Sequence, residues 1–499
     1  SSLDMLLRST CSRTAQPLSW LSRTRPSAIM PLRARINNPS FSDMPSEQPG
    51  DEPNDVLFNS HYGVRTIELN RPKKLNSLNG SMARKILPRL KEWEKSQLAN
   101  VIVLKGNGRA LCAGGDVAAL AKDNQSGPEG QQRSKDYFAL EYKLDHTIAT
   151  YSKPYVAFMD GITMGGGVGL SVHAPFRIAT ENTVFAMPET TIGFFPDVGA
   201  SFFLPRMDGA VGTYLALTSE QIKGVNAFLS GIATHYLHSS SLPDLEARLA
   251  ELNFGDDVSY DTRLRIINDT IEEFTTGMPH DAPPHFSTNV RIAIDYCFQN
   301  VHNIDQIMEA LVATEEREDS PPEVNKWAAK TRETISQRSP TSVKVALAQL
   351  RRGAQWNIAQ TFQNEHNIAS KFMEHPDFVE GVSARLIRKP AQTPQWSKTS
   401  FDDVSEAEVN SFFADELKLQ LPTASDEAPY TDYPYAWTAL PREAEIESFV
   451  KSNPKYDMNG VVEHFIRLKR GKMGVREKVE EVLNRRTAPA NSKRGFTWL

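Results

Sequence analysis

Cysteine is scarce in this chain: 499 residues contain three, Cys11, Cys112 and Cys297, with neither disulfide-like nor metal-binding spacing. That argues against a disulfide-built fold and a cysteine-ligated metal, and favours a reducing compartment. Long apolar runs are also missing, and no stretch approaches the roughly 20 residues that a membrane-spanning helix needs. A net charge of −5 provides no general positive field, so the chain as a whole is not built to hold nucleic acid. The length exceeds what one core carries, which predicts a main domain of roughly 250–350 residues with appendages.

The first 35 residues lack lysine and carry one acidic residue, yet hold six arginines and seven serines. A basic, hydroxylated, acid-poor segment of this kind predicts a mitochondrial transit peptide, and hence a matrix location. Residues 36–54 turn acidic and proline-rich, with Pro39, Pro45, Pro49 and Pro53. They read as a disordered linker.

From Val56 onward the pattern is globular. Val64–Leu69 alternates as a strand, Met82, Ile86, Leu90 and Trp93 mark one helix face, and Val101–Leu104 is a continuous apolar run suited to a strand buried on both sides. Tyr155–Phe158 and Phe176–Ala179 repeat that theme, which predicts an α/β core with parallel pairing over residues 55–205. Strand signals then fade, and helical periodicity predicts a helical layer over 206–400. Residues 401–499 form an extension whose last 33 residues hold ten Lys/Arg against three Glu. The cluster Arg467, Lys469, Arg470, Lys472 and Arg476 is read as a phosphate-contacting surface, with a solvated helix face as the alternative.

Four short segments fit together as one site. Cys112–Asp116 and Gly161–Gly167 are glycine-rich turns, where backbone amides can approach a ligand with no Cβ in the way. Met187-Pro188-Glu189 and Phe195-Pro196-Asp197-Val198-Gly199 place two carboxylates eight residues apart, each beside a proline. Donors for an oxyanion and a carboxylate to attack or deprotonate are what thioester hydrolysis requires. Gly166 is expected where a helix begins (Gly167 to His173), so its amide is unpaired and lies at the positive end of the dipole. Asp197 has a second expected role, as N-cap of a helix running through Phe203.

The ordered set formed by Asn70–Leu78, Cys112–Asp116, Gly161–Ser171, Met187–Glu189, Phe195–Gly199, Ser339–Ser342 and Phe378–Val382 resembles the enoyl-CoA hydratase/isomerase (crotonase) superfamily, and within it the 3-hydroxyisobutyryl-CoA hydrolases. The resemblance implies a spiral of ββα units with a helical C-terminal layer, to which this chain adds its extension. By matched position, Gly115 and Gly166 form the oxyanion hole, Glu189 and Asp197 are catalytic, and Glu141, Gly166, Glu189 and Asp197 contact the acyl-CoA. Glu189 acts as nucleophile or base. From the helix pattern alone, Glu141 reads as a solvated residue of an amphipathic helix. No metal and no cofactor beyond the CoA of the substrate is expected. The loop with Lys73 and Lys74 is a weaker candidate for the CoA phosphates.

Where the hydratase pattern has a glutamate, this chain has Gly169, so one acid–base partner of hydration is missing and hydrolysis is expected instead. Relatives of these hydrolases also occur in the small subunit of mitochondrial ribosomes. The extension therefore predicts docking to proteins or rRNA of that subunit through residues 401–499. Every candidate catalytic residue precedes position 200, so the extension is expected to be dispensable for catalysis, the alternative being that it folds back over the core and helps cover the acyl-CoA site.

Overall fold

The structure is a computed structural model that describes residues 44–414, 416–422, 428–489 and 495–499. Residues Pro45–Leu499 form one compact unit. The transit-peptide reading of residues 1–35 lies outside the described residues, as does Cys11.

Ten strands build two sheets whose alternation produces the expected spiral. β1 (Val56–His61), β2 (Val64–Leu69), β3 (Val101–Gly106), β5 (Tyr155–Met159), β7 (Phe176–Ala179) and β10 (His235–Tyr236) form the larger sheet in the order β1-β2-β3-β5-β7-β10. Its β1–β2 pair is antiparallel and the other pairs are parallel. β4 (Ala110–Cys112), β6 (Ile162–Met164), β8 (Val184–Ala186) and β9 (Ile222–Lys223) form the smaller sheet in that order. The chain thus drops from the large sheet to the small one after β3, β5 and β7. Each of these descents leads into a loop that carries a candidate site residue: Gly115 after β4, Gly166 after β6 and Glu189 after β8.

The four strands read from the apolar pattern, β2, β3, β5 and β7, are present, and the first four residues of β3, Val101 to Leu104, are buried. The expected boundary at residue 205 is too early, because β9 and β10 complete both sheets further on. Two-residue strands are too short to show any alternation, so their sequence is silent. Helix Gly80–Lys95 buries Met82, Ile86, Leu90 and Trp93, and Asn79 caps it by accepting from the Met82 amide.

The linker reading of 36–54 is corrected over its described part. Asp51 pairs with Arg84, Glu52 pairs with Arg71, and Asp55 takes a 2.6 Å contact from Lys85. These acids meet cations some 20–35 residues away, a long-range pairing that composition cannot reveal.

The extension is no loose tail. Helices Glu443–Ser452, Met458–Leu468 and Val475–Arg486 send Ile446, Val462, Phe465, Val479 and Leu483 into the same apolar cluster as the core helices. Glu443 receives Arg485 at 2.9 Å and Arg291 at 3.5 Å, and Lys478 pairs with Asp208.

Four of the five residues of the basic cluster already have partners within the chain, although Arg467, Arg470 and Arg476 stay exposed, so its reading as a phosphate surface keeps few free charges. Lys472 is buried against Glu272 at 2.6 Å, Arg476 meets Glu463 at 2.7 Å and Glu480 at 3.3 Å, and Lys469 donates to the Trp437 carbonyl. Arg470 keeps an exposed pairing with Asp269, and Arg467 is exposed with no acidic partner among the described residues.

Candidate active site

The two glycine loops meet. Leu78 bridges to Gly115 in parallel fashion: its amide donates to Gly114 O and its carbonyl accepts from the Asp116 amide, both at 2.8 Å. That pairing consumes the groups on either side of Gly115 and leaves the Gly115 amide unused. Gly165 takes φ +45° and starts the short helix Gly166–Gly169, whose first amide belongs to Gly166. Neither the Gly115 nor the Gly166 amide has an acceptor among the described residues. A methyl group placed on Gly166 would lie 3.4 Å from the Gly115 nitrogen and 2.9 Å from Glu141 Oε1, so these three groups share one small space.

That space is a cavity of about 200 Å³, lined by Gly115, Gly166, Tyr137, Glu141, Glu189 and Asp197 among others. All three acidic residues assigned by resemblance, Glu141, Glu189 and Asp197, are therefore brought together with both glycines. Glu189 opens the 3-10 turn Glu189–Ile192, is 5% exposed, and has no hydrogen-bond partner for either carboxylate oxygen. A methyl group on Gly165 would lie 3.2 Å from Glu189 Oε1, which places this carboxylate next to the Gly166 amide. Glu141 is not the solvated helix residue that its pattern suggested. It is 2% exposed, because helix Pro128–Ala149 turns the face carrying Phe138, Glu141, Tyr142 and Asp145 inward.

Asp197 does not cap a helix with its side chain. The following helix is only Ala200–Phe203, with Gly199 in the cap position and no side-chain cap bond. The Asp197 carboxylate instead accepts from the Tyr142 hydroxyl at 2.7 Å. The loop around it is fixed at every step. Gln349 donates to Pro196 O, His173 Nε2 donates to Val198 O at 2.7 Å, and the Gly199 amide donates to Glu365 Oε2 at 2.8 Å. Val198, a β-branched residue, sits at φ +55°, a conformation that persists only where its surroundings impose it.

Position 169 has a structural reason to be glycine. A Cβ there would lie 2.6 Å from Val198 Cβ and 2.8 and 2.9 Å from the two Asp145 carboxylate oxygens. Asp145 is fully buried, and neither of its oxygens has a partner.

Five buried carboxylates, Glu141, Asp145, Glu189, Asp197 and Glu365, thus gather here, and none forms an ion pair among the described residues. Burial, and then the negative charge of the others, holds Glu141, Asp145, Glu189 and Glu365 well above the usual carboxylate range. Asp197 is raised by burial to about 7, with the Tyr142 hydroxyl pulling the other way.

Reading the sequence alone missed Asp145, Tyr142, His173 and Glu365. Asp145 could have been found, since it lies one helical turn beyond Glu141. Glu365 is more than 160 residues from the loop it supports and gave no signal. Lys73 and Lys74 are exposed on a 3-10 turn and do not line the cavity.

Comparison with known proteins agrees with this geometry. The enoyl-CoA hydratase/isomerase family model matches residues 64–413. The chain is 51% identical to the small ribosomal subunit protein mS47 of Neurospora crassa over 507 aligned positions, 99% of each chain. It is 42% identical to the mitochondrial 3-hydroxyisobutyryl-CoA hydrolase of Gallus gallus over 73% of this chain and 89% of the relative. Among solved structures, a carnitinyl-CoA dehydratase from Mycobacterium thermoresistibile superposes with a TM-score of 0.64 at 32% identity, covering 74% of this chain and 99% of that one. With this spiral, this meeting of glycine loops and a family match across most of its length, the chain belongs to the enoyl-CoA hydratase/isomerase family.

Proposed function

We propose that this protein hydrolyses 3-hydroxyisobutyryl-CoA, or a similar short 3-hydroxyacyl-CoA, in mitochondrial valine breakdown. The observation that carries the reading is Glu189: a buried carboxylate with both oxygens unpartnered, beside two backbone amides that are also unpartnered. The amides of Gly115 and Gly166 receive the thioester oxygen as it becomes an oxyanion, at about 3 kcal/mol of transition-state stabilisation each. Glu189 attacks the carbonyl carbon or deprotonates the water that does. In the first route Glu189 displaces the CoA thiolate, which protonated Asp197 neutralises, and water then opens the anhydride and returns a proton to Asp197. In the second Glu189 takes the proton of the attacking water, Asp197 protonates the departing sulfur, and the Glu189 proton passes back to Asp197. By either route water and thioester become acid and thiol. CoA enters only as part of the substrate. Similarity to mitochondrial hydrolases supports the compartment and the acyl group.

Single turnover in ¹⁸O-water separates the two routes for Glu189. Label in its carboxylate marks attack through a covalent anhydride opened at the Glu189 carbonyl. Label confined to the hydroxy acid marks attack of water at the acyl carbon, which trapping of the anhydride with hydroxylamine then assigns to the covalent or the base route. Well-folded protein that binds CoA yet releases none from any short 3-hydroxyacyl-CoA refutes the hydrolase reading.

The pH dependence follows from Glu189. Both routes need its carboxylate ionised, and burial and the charge of Asp197 hold it well above the usual carboxylate range, so kcat/KM rises with pH. The Tyr142 hydroxyl favours ionised Asp197, so Tyr142→Phe raises the Asp197 pKa, weakens its charge beside Glu189 and moves this limb to lower pH. A limb that stays in place or moves up assigns the titration to another group.

A second reading is carried by the full-length match to the mS47 relative, which extends through residues 401–499, whereas the family model stops at 413. In this reading the protein is also a component of the mitochondrial small ribosomal subunit. Co-sedimentation with that subunit at moderate salt tests it. Because most of the basic cluster is paired internally, Arg467 and Arg470 together contribute a salt slope no steeper than about −2. A loss of binding on Arg467→Ala/Arg470→Ala steeper than this restores the cluster as the main contact.

A further inference from the structure

We propose that Tyr433, in the extension beyond the family-matched region, is a positioning residue for the Asp197 loop and acts through His173. The inference rests on the hydrolase reading for its catalytic consequence, and on geometry for the coupling itself.

The chain of contacts is short. The Tyr433 hydroxyl donates to the carbonyls of Ala174 and, at 3.2 Å, His173, and it accepts from Arg177 Nη1 at 3.1 Å. It therefore fixes the backbone on which the His173 imidazole is mounted. That imidazole is buried, and burial lowers its pKa to about 4, so near neutral pH it is uncharged. Its Nε2–H reaches Val198 O at 2.7 Å, one peptide from Asp197. Val198 is the residue held at φ +55°, so the bond opposes relaxation of a strained backbone. Space around the ring is tight: a Cβ on Gly199 would lie 2.4 Å from His173 Nε2. Any shift of His173 is therefore felt directly by the loop.

A parallel set of contacts holds the other end of the loop. Tyr430 packs its ring edge-on to Phe202, at 5.5 Å between centroids, and Arg206 lies over Phe202 while donating to Thr431 O at 2.9 Å. Thr438 donates to Pro175 O at 2.9 Å. Residues 430–438 thus grip both segments that support Asp197, the stretch 173–177 and the helix Ala200–Phe203. Between these grips lies a cavity of about 110 Å³, lined by His173, Phe202, Phe203, Arg206 and Leu440. On either side of it the extension meets the core through named contacts, the Tyr433 hydroxyl among them. On this proposal the extension contributes to catalysis, against the expectation that it is dispensable.

The test uses the full chain. Tyr433→Phe keeps the ring packed against Tyr435 and Arg177 and removes only the hydroxyl. Val482→Ala, in the buried face of helix Val475–Arg486, serves as a variant that destabilises the extension while leaving the Tyr433 hydroxyl and its partners in place. Two quantities are read for each: amide hydrogen exchange across residues 195–202, and kcat and KM for a short 3-hydroxyacyl-CoA. In Tyr433→Phe, exchange at the Gly199 amide should speed up and kcat should fall, each by about ten-fold, the equivalent of one net hydrogen bond, with KM within about two-fold of wild type. Val482→Ala should lower the melting temperature and leave both quantities unchanged. Unchanged exchange in Tyr433→Phe, or equal changes in Val482→Ala, overturns the proposal. If wild-type protein turns over no thioester, the hydrolase reading fails, while the exchange measurement still decides whether Tyr433 positions the loop.

Discussion

Glu189→Gln should lower the rate of CoA release from 3-hydroxyisobutyryl-CoA by about 10³-fold, within the range contributed by a positioned acid–base group. The substitution is nearly isosteric, and the site tolerates it for a specific reason. Neither Glu189 oxygen is engaged in a structural hydrogen bond, and the wild-type group is already pushed toward its neutral form by burial and by Asp197. An amide therefore costs the fold little, yet it can neither attack nor accept a proton. Substrate binding should persist, since the Gly115 and Gly166 amides are untouched. A variant that retains more than a tenth of wild-type turnover assigns the chemistry to another carboxylate, and Asp197 and Glu141 are then the groups to replace next.

The second large effect is on stability. Gly169→Glu, which restores the residue of the hydratase pattern, should destabilise the protein by about 3 kcal/mol or more, through overpacking and an additional acid in an unpaired acidic cluster. Its Cβ would lie 2.6 Å from Val198 and under 3 Å from both Asp145 oxygens before the rest of the side chain is accommodated. Displacing Val198 moves the peptide beside Asp197, so hydrolysis is lost along with stability. Hydration of crotonyl-CoA should be slow in the wild type for want of this carboxylate, and it should not appear in the variant. Denaturant unfolding measures the first effect, and crotonyl-CoA hydration the second. A stable variant that hydrates crotonyl-CoA would show that Asp145 and Val198 yield easily and that Gly169 is not what separates the two reactions.

Gly169 also shows where reading the sequence reaches its limit. The missing glutamate was visible as a letter, and it correctly turned attention from hydration toward hydrolysis. What stands in its place was not visible. Asp145 comes from a helix some twenty residues earlier, and only the packing of helix Pro128–Ala149 against the Gly166–Gly169 turn brings the two together. Glu141 makes the same point from the other side. On a helix of weak amphipathic pattern it read as solvated, and the fold buried it, because this helix lies between the sheets and helix Ile358–Glu374 and has little free face.

The sequence by itself determined the local features. Continuous apolar runs set β3, β5 and β7, glycines without Cβ atoms opened the two donor loops, and the order of the motifs named the superfamily. These depend on residues close together in the chain, where pattern and sterics act directly. Only the tertiary structure decided which charges face each other. It paired Lys472 and Arg476 of the basic C-terminal cluster with Glu272, Glu463 and Glu480, gathered five carboxylates with no ion pair among the described residues, and set the Tyr433 hydroxyl against the His173 and Ala174 carbonyls about 260 residues earlier. A charge in the sequence has a sign but no neighbours, and its pKa, its cost of burial and its partner are all set by groups that the chain brings near only by folding.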